Sequence, residues 1–161
     1  MFDPDSTSLS EGVIAARLLL AVGLGAVIGY EREQLARPAG LRTHMLTALA
    51  AALFTIITME IHAGVLREAS GQSTDPIRVI EAVTAGVAFL AAGAIFRSQG
   101  DVKGLTTGAG MWLAGAIGVA CGVGYGILAV MATVLAAAIL LAVRWLEGDT
   151  KDKDAPSGDS T

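Results

Sequence analysis

Charge is scarce in this sequence, and so is cysteine. Asp, Glu, Lys and Arg make up 16% of the 161 residues, hydrophobic residues make up 53%, and the mean hydropathy is +0.63. A soluble domain of that size needs more polar surface to stay dispersed, so lipid is the expected solvent. The single cysteine, Cys121, excludes an internal disulfide. It has no companion ligand in its apolar run and reads as a small buried residue. A broad basic footprint for nucleic acid is also missing. The net charge of −4 reflects a tail whose last fifteen residues hold Glu147, Asp149, Asp152, Asp154 and Asp159, and the rest is close to neutral. Catalytic signatures are absent too. The Gly104 to Gly108 spacing lacks the Lys of a phosphate loop, and the serines, mostly in the tails, offer no Ser-His-Asp arrangement. The sequence therefore predicts a protein that is not an enzyme and carries no cofactor, with magnesium as the one ion to consider.

What the chain has in abundance is apolar length. A spanning helix needs about 20 largely apolar residues. Val13–Tyr30, Thr43–Ile61 and Ile77–Phe96 meet that need. The run from Thr106 to Trp145 would reach nearly 60 Å as one helix, roughly twice the hydrocarbon thickness, so it must fold back. Gly122, Gly124 and Gly126 around Tyr125 mark the turn, giving spans at 107–123 and 126–145. The fold class is thus an all-α bundle of five transmembrane helices. Residues 1–12 precede it outside, 13–145 form the membrane domain, and 146–161 form an acidic tail expected to be disordered. Ser8 with Glu11 reads as a capping box, and Asp75-Pro76 as the start of the third helix. A segment from His62 to Thr74 reads as an irregular loop.

The basic residues orient these spans. Of eleven Lys and Arg, eight (Arg32, Arg37, Arg42, Arg97, Lys103, Arg144, Lys151 and Lys153) fall on one side, and Arg17, Arg67 and Arg78 on the other. The richer side belongs in the cytoplasm, which places the N-terminus outside and the C-terminus inside. An odd number of spans is then required. A signal peptide is excluded by Asp3, Asp5 and Glu11 where a positive region would stand. A multi-pass membrane protein is expected, with the bilayer and either a second copy or another membrane protein as partners.

Small residues recur at four-residue spacing. Ala21, Gly25 and Gly29 form one row, and Gly110, Ala114, Gly118 and Gly122 another, with Gly86 and Gly93 on the third helix. Such rows let helix backbones approach closely, and they also suit a homo-oligomer. Ionisable groups at membrane depth are the first functional candidates, because each is costly unless paired or hydrated. Here these are Arg17, Glu60 and Glu81. Arg17 and Glu81 are expected to pair and to pin helix one to helix three. The alternative joins Glu60 and Glu81, with His62, in a site for protons or a divalent cation such as magnesium. A transport route would run from there to Glu31, with Thr47, Thr55, Thr58 and Thr84 as candidate lining. A second group gathers at the cytoplasmic helix ends: Glu31, Arg32, Glu33, Arg37, Arg42, Thr43 and His44, facing Arg97, Lys103 and Thr107. It reads either as topology-setting charge, with Glu33 pairing Arg37, or as a platform for a ligand or partner.

These loops carry a resemblance. Gly29-Tyr-Glu-Arg-Glu33 and Ala39-Gly-Leu-Arg-Thr43, then Glu81, Gly86 to Gly93 and Val102-Lys-Gly-Leu-Thr-Thr107, resemble in order the MgtC/SapB family of bacterial inner-membrane proteins. The likeness covers about residues 13–145. It implies a five-helix membrane domain and a role in magnesium homeostasis and stress adaptation. It also implies an action on the membrane sector of the F-type ATP synthase, magnesium transport being the other suggested role. By motif it assigns functional weight to Glu31, Arg32, Gly40, Leu41, Arg42, Thr43, Gly93, Gly104, Leu105 and Thr107. Two features depart from the family pattern. Known members continue into a cytoplasmic C-terminal domain where this sequence has an acidic tail, and His44 stands where Asn is expected in virulence-type members.

Overall fold

A computed structural model of the chain describes residues 7–35, 37–67, 75–98 and 101–153. Its helices are α1 (Glu11–Gln34), α2 (Leu41–Arg67), α3 (Ile77–Ala94), α4 (Leu105–Val123) and α5 (Gly126–Lys153). All five are long and apolar enough to cross a membrane. Their outer faces carry large exposed apolar side chains, such as Phe89 and Ile127, each about four-fifths exposed (80% and 81%). Lipid accommodates such a surface where water would not.

The helix boundaries extend beyond the apolar runs. Polar residues at the ends satisfy helical geometry without needing lipid, so α1 continues through Arg32 and α2 through His62 to Arg67. The first part of the expected irregular loop is therefore helical, and residues 68–74 lie outside the described residues. Likewise α5 runs past Trp145 to Lys153, where disorder was expected. Leu, Glu and Lys there are competent helix formers, and no proline intervenes before Pro156. Residues 154–161 lie outside the described residues.

The third helix stops at Ala94, two residues early. Phe96–Ser98 (β1) and Asp101–Lys103 (β2) form an antiparallel pair in the register Phe96 with Lys103 and Ser98 with Asp101. Three-residue strands are too short for periodicity to reveal. The turn between α4 and α5 is where the glycines placed it. Gly124 adopts a left-handed φ of 106°, its N–H reaches Cys121 O at 3.1 Å, and the Tyr125 N–H reaches Ala120 O at 2.8 Å. That pattern is a Schellman motif, and it needs a residue tolerant of positive φ. The expected capping box is not formed. Ser8 instead donates its hydroxyl to Glu60, and Ser10, the N-cap of α1, makes no side-chain cap bond. Asp75 accepts the Ile77 N–H at 2.9 Å, so it does cap α3.

Helix α2 is clamped between α1 and α4. A Cβ added at Gly25 would lie 2.8 Å from the His44 carbonyl oxygen, and one at Gly122 would lie 2.7 Å from that of Ala52. One at Gly118 would overlap the Ala48 carbonyl. Both rows of small residues thus press on the same helix, and Ala21, Ala48, Ala52 and Ala114 are buried completely. Gly86 and Gly93 of α3 pack against nothing: a Cβ at either would meet open space. Glycines of α4 meet α3 instead: a Cβ at Gly115 would lie 2.9 Å from Val87, and one at Gly108 would lie 3.3 Å from the Ala91 carbonyl oxygen. The row expected on α3 is therefore supplied by its neighbour.

Candidate functional site

The helix ends that carry Glu60 and Arg17 use these charges to tie the chain together. The backbone N–H and hydroxyl of Ser8 each donate to the Glu60 carboxylate at 2.6 Å, and the Leu9 N–H donates to it at 3.2 Å. Glu60 thus fastens the segment before α1 to the end of α2. Arg17 does not pair with Glu81. Its Nη1 donates to the Gly122 carbonyl at 2.7 Å, closing the C-terminus of α4, and its guanidinium lies against Gly124. The reason is helix order: α1 packs on α2 and α4, while α3 packs chiefly on α4, so α1 and α3 are not neighbours. Glu81 is exposed on α3. Among the described residues no three His, Cys, Asp or Glu stand together as a metal site.

Two apolar grooves flank α3, of about 600 and 510 Å³. The first includes Thr47 and Thr58 and the second Thr84, but neither includes Glu60 or Glu81. Thr55 and Thr58 donate to the carbonyls of Ala51 and Phe54 at 2.7 and 2.9 Å, within their own helix. The interior between α1, α2 and α4 is filled by Ala21, Ile28, Ala48, Ala52 and Ile117.

The opposite ends of the helices enclose a different space. A recess of about 570 Å³ is lined by Arg32, Arg37, Lys103, Gly104, Thr106 and Thr107, with Leu105 at its side. Arg32 is 5% exposed and its Nε donates to Glu31 at 2.5 Å. Arg37 and Lys103 are exposed at the mouth. Glu33 does not meet Arg37 but accepts the Leu41 N–H at 3.0 Å, capping α2, and its carboxylate fills the space beside Gly40. Gly104 has a φ of 90°, and a Cβ there would overlap the Ala94 carbonyl, which fixes α4 against the end of α3. Arg42 is exposed and Thr43 half-buried, both outside the recess. The side chain of Arg97 lies outside the described residues. The structure therefore unites the first motif (Arg32, Arg37) with the second (Lys103 to Thr107) across about seventy residues of chain, as roughly a folded end-to-end contact of α1 and α4 requires.

Sequence reasoning missed the role of His44. It is fully buried at the crossing of α1, α2 and α4, and its Nδ1 lies 2.9 Å from the Gly40 carbonyl. That bond puts the proton on Nδ1 and leaves a lone pair on Nε2, which is buried without a partner and faces Gly110. The signal was available in Gly110, which faces the ring at Nε2, while Gly25 and Gly29 let α1 approach the His44 carbonyl and Cβ.

Comparison with known proteins matches the model of the MgtC family to residues 18–148. An uncharacterized protein of Haemophilus influenzae is 36% identical over 145 residues, covering 89% of this chain and 58% of that protein. Protein MgtC of Brucella suis is 41% identical over 125 residues, covering 78% and 49%. Protein MgtC of Salmonella typhimurium is 40% identical over 118 residues, covering 73% and 47%. The chain thus spans about half the length of the curated relatives it matches. No solved structure matches.

Proposed function

The chain belongs to the MgtC family, and we propose that it is a non-enzymatic regulatory protein of the bacterial inner membrane that acts on another membrane complex. In this reading the basic end faces the cytoplasm, in line with the excess of Lys and Arg there. The process served is adaptation to magnesium limitation or acid stress, and the F-type ATP synthase is the candidate complex. A second copy of the chain completes the assembly in the bilayer, and no nucleic acid is involved.

One observation carries this reading. Three cations, Arg32, Arg37 and Lys103, share one recess at one end, while the core cluster is built of Ala and Ile with Cys121. A transporter needs polar groups spaced along a path. A binding protein needs them concentrated on one accessible face. The arrangement of Arg32, Arg37 and Lys103 fits the second need.

The test is purification of the tagged protein in mild detergent from cells grown at low magnesium, probing for ATP synthase membrane subunits. Recovery with the wild type, and loss with Arg37→Glu combined with Lys103→Glu, is the expected result. Reconstituted vesicles provide the opposing result: magnesium or proton flux that disappears in Glu81→Gln would overturn the reading in favour of transport.

A further inference from the structure

The basic recess contains donors without acceptors. Arg32 is 5% exposed, and beyond the Nε bond to Glu31 its terminal nitrogens hydrogen-bond to nothing among the described residues. Thr107 is 1% exposed, lines the same recess, and its hydroxyl likewise makes no hydrogen bond among the described residues. Neither group is sealed off, since His44 Nε2 is the one fully buried side-chain nitrogen or oxygen without a partner among the described residues, so these donors open onto the recess and are free for an acceptor there. The backbone adds to the demand. Gly104 is the N-cap of α4 and has no side chain to offer, and the first intrahelical bond runs from the Gly108 N–H to the Gly104 carbonyl at 2.9 Å. The amides of residues 105–107 therefore have no partner within the helix. This end of α4, a helix of 19 residues, carries roughly half a positive charge.

The acceptor has a definable chemistry. Three cations and one carboxylate leave the recess positive, which calls for an anion with more than one charge. The donors are of three kinds, guanidinium, hydroxyl and backbone N–H, and they approach from α1 on one side and α4 on the other. A planar carboxylate offers two oxygens in one plane, whereas a tetrahedral group offers oxygens in several directions. Phosphate at a helix N-terminus flanked by Arg and Lys satisfies these donors together. The recess also lies at the ends of spanning helices, at the depth where phospholipid headgroups sit.

We propose that the recess formed by Arg32, Arg37, Lys103, Thr107 and the start of α4 binds a phosphate-bearing anion, as a phospholipid headgroup or a free phosphate ester. This rests on the reading of the basic end as the functional face, and it names the ligand class that face takes.

The probe is the full chain in nanodiscs at constant ionic strength in chloride. Inorganic phosphate or glycerol 3-phosphate is titrated into phosphatidylcholine discs, and separate discs contain phosphatidylglycerol, with retained lipid read by native mass spectrometry. Saturable binding in the first arm identifies a free anion, and selective retention of phosphatidylglycerol in the second identifies a headgroup. Either supports the site if R37Q combined with K103Q weakens it about tenfold or more while R144Q, on the exposed face of α5, leaves it unchanged. Thr107→Val, which keeps every charge, should weaken it several-fold. No binding in either arm, or a double variant that binds like wild type, overturns the inference. Recovery of the protein partner is scored on the same variants. Partner retention with anion loss, or the reverse, separates failure of the regulatory reading from failure of the anion site.

Discussion

The two ends of this bundle use their cations in opposite ways. Around Arg17 and Glu60, each of these charged side chains is joined to backbone: the guanidinium to the Gly122 carbonyl, the carboxylate to the N–H groups of Ser8 and Leu9. Around Arg37 and Lys103, the backbone holds itself together through Gly104 and the Glu33 cap, and the cations stand aside from the structure. A charge that closes a helix end contributes to folding and has little capacity left for a ligand. A charge that does not is available. The difference separates scaffold from site without reference to any relative.

The largest effect expected concerns the backbone of the basic end. Gly104→Ala places a Cβ at a left-handed φ and against the Ala94 carbonyl. Strain and overlap together should cost about 3 kcal/mol or more. Unfolding by SDS titration in mixed micelles would measure it, and a loss under about 1 kcal/mol would show that the start of α4 is not held as described.

Next comes Arg17→Ala, which removes a charge-assisted bond to the Gly122 carbonyl at the end of α4. A loss of about 2 kcal/mol is expected in the same titration. Adding Glu81→Gln should change this little, because the two residues belong to helices that do not pack together and distant sites add. Recovery of stability in the double variant would restore the Arg17–Glu81 pair and erase the contrast between the two ends.

That reversal shows what the sequence could carry. Apolar length located every span, and the glycine cluster located the turn at Gly124, since both are properties of one segment. The facing of Arg17 toward the bundle was legible for the same reason. Its partner was not, because a helix's buried face does not say which neighbour covers it. The motif residues Arg32, Arg37, Gly104 and Thr107 were legible as a set, yet their convergence on one recess needed α1 and α4 to meet. The β1–β2 pair was hidden by its brevity, and His44 by the habit of reading glycine rows as packing alone.

A smaller effect is expected at Glu60. Glu60→Gln keeps the shape but removes the charge that attracts two backbone N–H groups and a hydroxyl, at a partly exposed site. About 1 kcal/mol is expected, confined to the N-terminal segment. Faster hydrogen exchange at the Leu9 amide, with the core unchanged, would be the signature. A global loss would mean that Glu60 supports more than this tether.

The smallest effect is the most diagnostic. Arg37→Gln and Lys103→Gln remove exposed cations that pair with nothing among the described residues, so each should alter stability by less than about 0.5 kcal/mol. Removing like charges from a crowded recess relieves repulsion, so the sign should be stabilising. The contrast is sharpest here because the two changes together are expected to weaken anion binding at the basic end about tenfold while leaving the fold intact. If either variant instead unfolded as readily as Arg17→Ala, its cation would be a structural tie like those at the far end, and the recess would be scaffold.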